Sequence, residues 1–321
     1  MADTHEMDFT GWLPIRAWME QGQWWIDWCW FGDTPLTQPF YRDSVQLALR
    51  KPFNQAMRRI TPISALVDWQ QRSPAAAPQA FIHHASRCGS TLMAQLLARL
   101  PTHRVLSEPP PLDALLRAHF FDPAASRWQP TWVTALLSAF GQSQQPLVIK
   151  LDAWNIFEAD FLRQLYPATP SVFLYRHPLE IIVSQLRQPG AHMVPGMIGP
   201  SLLAFSLEEA ASLSPLEFSA RSLGKILHQG LQLCQARGAL PVDYRELPQA
   251  LWGRLAPLFA VPDSAHEQLR QTAHWDAKTP SMAFTPDSQR KRDAASPEVQ
   301  AAVERWALEP YLALERLRLG A

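Results

Sequence analysis

The chain has 321 residues, 47% of them hydrophobic and 18% charged, enough to bury a large core as one α/β domain with an appendage. Lys plus Arg and Asp plus Glu both total 29, which excludes the bulk basic field that gathers nucleic acid or an acidic membrane, so any phosphate site must be local. Three scattered cysteines, Cys29, Cys88 and Cys234, exclude a disulfide framework and a zinc cluster, and with no apolar run of signal or membrane-spanning length the sequence reads as soluble and cytoplasmic.

In chain order, residues 1–76 read as an aromatic-rich N-terminal extension packed on the core, and 77–321 as the α/β domain itself. Trp12, Trp18, Trp24, Trp25, Trp28, Trp30 and Trp69 give the extension over half of the protein's 13 tryptophans. Two uses are open to them: packing, or the wall of an aromatic acceptor pocket. Gln23–Phe31 predicts a strand closed by Gly32-Asp33, Arg50–Gln71 a helical link, and Gln70–Pro78 a surface linker.

The stretch Gln79–Leu100 then predicts a buried strand, a short polar loop and an amphipathic helix in succession. Leu92, Met93, Leu96, Leu97 and Leu100 recur at helical spacing, and Pro101 ends the helix. Short strands follow at Arg104–Glu108, Pro146–Asp152, Ser171–Tyr175 and Leu240–Tyr244. Between and after them helices are predicted at Leu112–Phe121, Trp132–Phe140 with Gly141 as its cap, Ile156–Tyr166, Leu179–Arg187, most of Ser201–Arg237, Leu247–Ala260 and Pro297–Leu319. Gln188–Pro200, with three glycines and three prolines, is a candidate mobile loop, and His274–Asp293 reads as polar and irregular. Strands alternating with helices predict a parallel sheet with helices on both faces, three layers in all, and ligands in such a sheet bind beyond the carboxyl ends of the strands.

His84–Thr91, Glu108, Lys150, Asp152 and Arg176 all fall at such ends. In the loop Ala85-Ser-Arg-Cys-Gly-Ser-Thr91, Gly89 lets backbone approach an anion, Ser90 and Thr91 add hydroxyl donors at a helix start, and Arg87 adds a planar fork that matches phosphate or sulfate. One glycine and no lysine leave it short of a nucleoside triphosphatase loop, which disfavours phosphoryl transfer from ATP. Arg176 ends a strand and Ser184 lies two turns into the next helix, so the two would grip a second phosphate from two sides.

Ser86-Arg-Cys-Gly-Ser-Thr-Leu92 resembles the 5′-phosphosulfate loop of PAPS-dependent sulfotransferases, and Tyr175-Arg-His-Pro-Leu-Glu-Ile-Ile-Val-Ser184 resembles their 3′-phosphate element. Ser107-Glu-Pro109 is similar to the Glu-bearing strand end of the tyrosylprotein branch, and Val242-Asp-Tyr-Arg-Glu-Leu247 to the family's Tyr-Glu-Asp-Leu segment. Together these motifs span residues 79 to about 250.

The resemblance implies a P-loop sulfotransferase-like fold in which Arg87, Cys88, Gly89, Ser90 and Thr91 hold the 5′-phosphate and sulfonate of PAPS. Arg176 and Ser184 hold its 3′-phosphate, with Arg290, Lys291 and Arg292 as the late basic loop or, equally, a solvated surface run. Cys88 stands where the family has Ser and His177 where it often has Asp; Cys88 reads as a packing residue, since direct displacement needs no sulfo-enzyme. Sulfonate transfer to a hydroxyl or amine of a small molecule or peptide, leaving PAP, needs cations, here Lys150 and Arg87, and a base. Glu108 is the first choice for that base and Asp152 the second; no metal is required. The alternatives are a non-catalytic PAPS- or PAP-binding protein and a P-loop kinase-like phosphotransferase.

Overall fold

The computed structural model describes residues 7–143, 145–273 and 288–320. The described residues form two sheets. The first is antiparallel, in the order β1 (Trp12–Glu20), β2 (Gln23–Trp30), β3 (Arg59–Pro62). The β1–β2 hairpin closes through Gln21 and Gly22, both at positive φ (49° and 77°), the two-residue turn whose twist suits adjacent strands. The predicted single helical link over Arg50–Gln71 is corrected here: a short helix Pro52–Ala56, strand β3 and the helix Ile63–Arg72 replace it. Pairing decides the matter, because β3 runs along β2 from Trp25↔Pro62 to Trp28↔Arg59, and the Trp28 indole donates to the Thr61 hydroxyl at 2.9 Å.

The second sheet is five-stranded and parallel, flanked by helices, so the chain is α/β. Its strands are β4 (Ala80–His84), β5 (Arg104–Ser107), β6 (Leu147–Lys150), β7 (Ser171–Tyr175) and β8 (Leu240–Asp243), ordered β5-β6-β4-β7-β8. All five residues of β4 are buried, as expected of a central strand covered on both faces. Pro241 is tolerated in β8 because that strand lies at an edge. The chain leaves β4 toward β5 and leaves β7 toward β8, in opposite directions, which makes the carboxyl ends of β4 and β7 the topological switch point of the sheet.

Two compact units divide the chain: Met1–Phe81 with Ala94–Leu151 and Phe161–Thr169, and Ile82–Met93 with Asp152–Asp160 and Pro170–Ala321. In the first, Trp12, Trp24, Trp28, Trp69 and Trp132 share one hydrophobic cluster with Phe140, Leu147 and Ile149. In the second, Phe173, Tyr175, Ile181 and Ile182 pack with Leu223, Ile226 and Leu227 of the long helix Pro215–Arg237, and with Val299, Val303 and Leu314.

Three further readings need correction. Leu247–Ala260 is not one helix but two short turns, Gln249–Trp252 and Ala256–Phe259. Pro297–Leu319 is two helices that break at Ala307. Gly141 follows its helix at φ −86°, outside the left-handed region expected of a glycine cap; its missing Cβ instead leaves room for Ala75, which a methyl would meet at 3.2 Å.

Candidate active site

The loop after β4 carries its backbone in an uncommon form. Ser86 and Arg87 sit at φ 63° and 49°, and Gly89 at 85°. Left-handed non-glycine residues each cost about 1–2 kcal/mol and persist where surroundings fix them. Here the Ser86 amide donates to His84 Nδ1 at 3.0 Å, the Gln185 amide to the Ser86 hydroxyl at 3.0 Å, and Arg87 to the Gln188 carbonyl at 2.6 Å. Gly89 is required twice over: by its φ, and because a Cβ would meet Tyr244 and Leu247 side chains at 2.9 Å.

The helix Ser90–Ala98 begins immediately, its first turn closed from Met93 to the Gly89 carbonyl at 3.1 Å. The amides of Ser90, Thr91 and Leu92 therefore open a helix without intrahelical acceptors, at the positive end of its dipole. Turns of this kind ahead of a helix make anion-binding concavities. Cys88 is buried and its thiol reaches the Leu174 carbonyl at 3.3 Å, a packing position. Ser90 and Thr91 are buried and Arg87 half-buried; burial lowers the Arg87 pKa from its ordinary value.

Arg176, just past β7, is almost wholly buried. Its Nε bonds Glu180, its Nη2 donates to the Ser288 hydroxyl at 3.0 Å, and its guanidinium lies over the Tyr244 ring, 4.0 Å from the centroid. The other oxygen of Glu180 accepts from Arg292 Nε at 2.7 Å. Burial pushes the Glu180 carboxyl up, but the hydrogen bond and charge of Arg176, with Arg292 and Ser288, hold it below its ordinary value. Arg290, Lys291 and Arg292 lie on a short helix, Ser288–Asp293, rather than in the irregular segment expected; Lys291 is buried and Arg290 exposed. Residues 274–287 of that segment lie outside the described residues. Ser184 is half-buried on the helix Pro178–Arg187.

The Tyr244 ring therefore touches the space in front of Gly89 and the guanidinium of Arg176 together. Within the second unit this sets the loop and the Arg176–Glu180–Arg292 cluster side by side at the β4–β7 switch point. Of the second-unit candidates, Asp152 is engaged elsewhere: it caps the turn Ala153–Glu158, in a reciprocal box with Asn155 whose side chain accepts from the Asp152 amide at 3.2 Å.

In the first unit the structure joins Glu108 to Lys150. Lys150, the last residue of β6, is completely buried, and its ammonium contacts the Glu108 carboxylate and lies 5.3 Å from the Phe40 ring centroid. Glu108 follows β5 at φ 53°, a strained position for a non-glycine residue, and its amide donates to the Lys150 carbonyl at 2.7 Å.

No protein-family model matches the sequence, and no curated protein matches it. Solved structures give weaker likenesses. The sulfotransferase domain from the curacin biosynthetic pathway is 16% identical, with 72% of this chain and 98% of that one covered and a TM-score of 0.43. The sulfotransferase domain of the Synechococcus PCC 7002 olefin synthase is 18% identical over 75% and 94% of the two chains, also at 0.43. Sulfotransferase STF1 from Mycobacterium tuberculosis H37Rv is 16% identical over 76% and 81%, at 0.40. They give no support to the tyrosylprotein branch in particular, and the site is defined by this chain's own residues.

Sequence reasoning missed Glu180, Ser288, Gln185 and Phe40. Glu180 had a signal, lying four residues after Arg176 in the first turn of a helix. Phe40 and Ser288 had none, being brought to their partners by the fold.

Proposed function

We propose that the protein is a sulfotransferase that moves a sulfonate group from PAPS to a hydroxyl or amine of a small molecule or peptide by direct in-line displacement. The observation that carries this reading is the Tyr244 ring shared by Gly89 and Arg176, which sets the lysine-free loop beside the Arg176–Glu180–Arg292 cluster. A donor phosphorylated at both 5′ and 3′ positions has anions for both.

The residues suit such a donor on their own chemistry. The loop amides, Ser90, Thr91 and Arg87 hold the 5′-phosphate and sulfonate. Arg176, with Ser184, holds the 3′-phosphate: its guanidinium is a planar fork that matches phosphate, and it lies beside Ser288, Glu180 and Arg292. Arg292, Lys291 and Arg290 add charge from the neighbouring helix. Glu108 takes the acceptor's proton and Lys150, with Arg87, steadies charge on the transferring group. Asp152, as a turn cap, is the weaker base of the two considered.

A labelled-PAPS transfer screen over phenols, alcohols, amines and peptides tests the reading. Transfer to at least one class is expected. PAP binding with no transfer to any class would favour a nucleotide-binding protein without turnover, and neither binding nor transfer would contradict the proposal outright.

A further inference from the structure

A separate cleft of about 790 Å³ lies within the first unit, with Trp12, Leu13, Trp30, Asp33, His103 and Arg104 in its lining. Its aromatic wall is built by backbone. The Trp30 ring occupies the place a Cβ on Gly11 would take, 2.6 Å away, and comes within 3.4 Å of one on Gly32, and both glycines have positive φ (76° and 55°). The amides of Phe31 and Gly32 donate to the Gly11 carbonyl at 2.9 and 3.0 Å, locking that contact, and Trp12 meets Trp30 edge-on at 5.7 Å.

Arg104 is the second observation. It opens β5, and its Nε is buried with no hydrogen-bond partner; among the described residues no carboxylate pairs with its guanidinium. Burial pushes the guanidinium pKa down from its ordinary value, with Tyr41 opposing. A desolvated cation without a counter-ion is unfavourable, and a cleft beside it is where an anion would relieve the cost.

The chemistry of the lining selects the anion. A guanidinium fork matches a carboxylate, two indoles favour a flat apolar body, and exposed Asp33 on the same lining disfavours a dianion such as phosphate. We propose that this cleft binds a small aryl monocarboxylate, its carboxylate on Arg104 and its ring against Trp12 and Trp30. Arg104 opens β5 and Glu108 follows its last residue, Ser107, about 13 Å away at the usual rise per residue, so the cleft is separate from Glu108 and the proposal stands whether or not the sulfotransferase reading does.

The test uses the full chain and phenylacetate, with phenylacetamide as its uncharged counterpart, read by tryptophan fluorescence and thermal shift. Phenylacetate should bind saturably, at least tenfold more tightly than the amide and more tightly than inorganic phosphate. Arg104→Gln should erase the preference for the carboxylate. Should that variant not fold, Asp33→Asn, at an exposed position, still decides: it should strengthen phenylacetate binding severalfold and leave phenylacetamide unchanged. No saturable binding of phenylacetate, equal affinity for acid and amide, or an Asp33→Asn variant that binds the acid no better would overturn the proposal.

Discussion

The guanidinium carbon of Arg176 lies 4.0 Å from the centroid of the Tyr244 ring, and the opposite demand on that ring comes from Gly89, whose absent side chain makes room for it. One aromatic residue from the segment after β8 thus fixes the distance between the loop after β4 and the cation after β7. Cation–π contact with a buried arginine also holds the guanidinium plane.

That arrangement makes Gly89 intolerant of change. Gly89→Ala combines a left-handed φ with a Cβ 2.9 Å from Tyr244 and Leu247. A loss of about 1–3 kcal/mol in chemical denaturation is expected, together with weaker PAP binding as Tyr244 is displaced. Unchanged stability and binding would mean that the ring does not set the loop's position.

Glu180 is the keystone of the cationic cluster. It is almost fully buried and bonds both Arg176 and Arg292. Removing one member of a buried ion pair leaves the other uncompensated, so Glu180→Gln should destabilise the protein by about 3 kcal/mol in urea unfolding, even though Arg292 is partly solvated. A loss below about 0.5 kcal/mol, the level of a surface pair, would show that the cluster is held by Tyr244 and Ser288 instead.

Glu108→Gln separates binding from chemistry. The substitution keeps the shape beside Lys150 but removes the carboxylate, so transfer from PAPS should fall by about 100-fold or more while PAP affinity stays within twofold. Turnover at the original rate would move the base away from Glu108.

Much of this was legible in the sequence. The strand, loop and helix around Gly89 were, because a continuous apolar run, a polar loop and a helical repeat of leucines follow one another and local and tertiary preferences agree. Strand β3 was not: Ile60 and Thr61 sit between two helices, and only pairing with β2 makes them extended. The helix expected over Leu247–Ala260 was lost to Pro248, Gly253 and Pro257, which break it into turns. Asp152 looked like a catalytic candidate two residues past Lys150, yet its first partner is the backbone of the turn it caps. The Glu108–Lys150 contact follows from the register of adjacent parallel strands, Ser107 opposite Lys150, which no local pattern reveals.

Acid should weaken the fold through His83. The ring is buried in β4, its Nδ1 has no hydrogen-bond partner, and burial first, with His84 adding to it, pushes its pKa from 6.5 down to about 3. The unfolded chain then binds a proton that the folded chain does not, so stability is full above 6.5 and falls as the pH drops from there toward about 3. His83→Met should flatten the decline in melting temperature between pH 6.5 and about 4.5. Parallel declines in both proteins would assign the acid sensitivity to other groups.

The central claim, that the Arg176 cluster takes a 3′-phosphate, is tested most directly by comparing PAP with adenosine 5′-phosphate in thermal shift on the native chain and on Arg176→Ala. PAP should raise the melting temperature progressively above its Kd, by about 1.4 kcal/mol of stabilisation per tenfold excess, adenosine 5′-phosphate should do so only at much higher concentration, and the variant should lose the difference between them. No shift at saturating PAP, or equal shifts with the two nucleotides in the native chain, would contradict it.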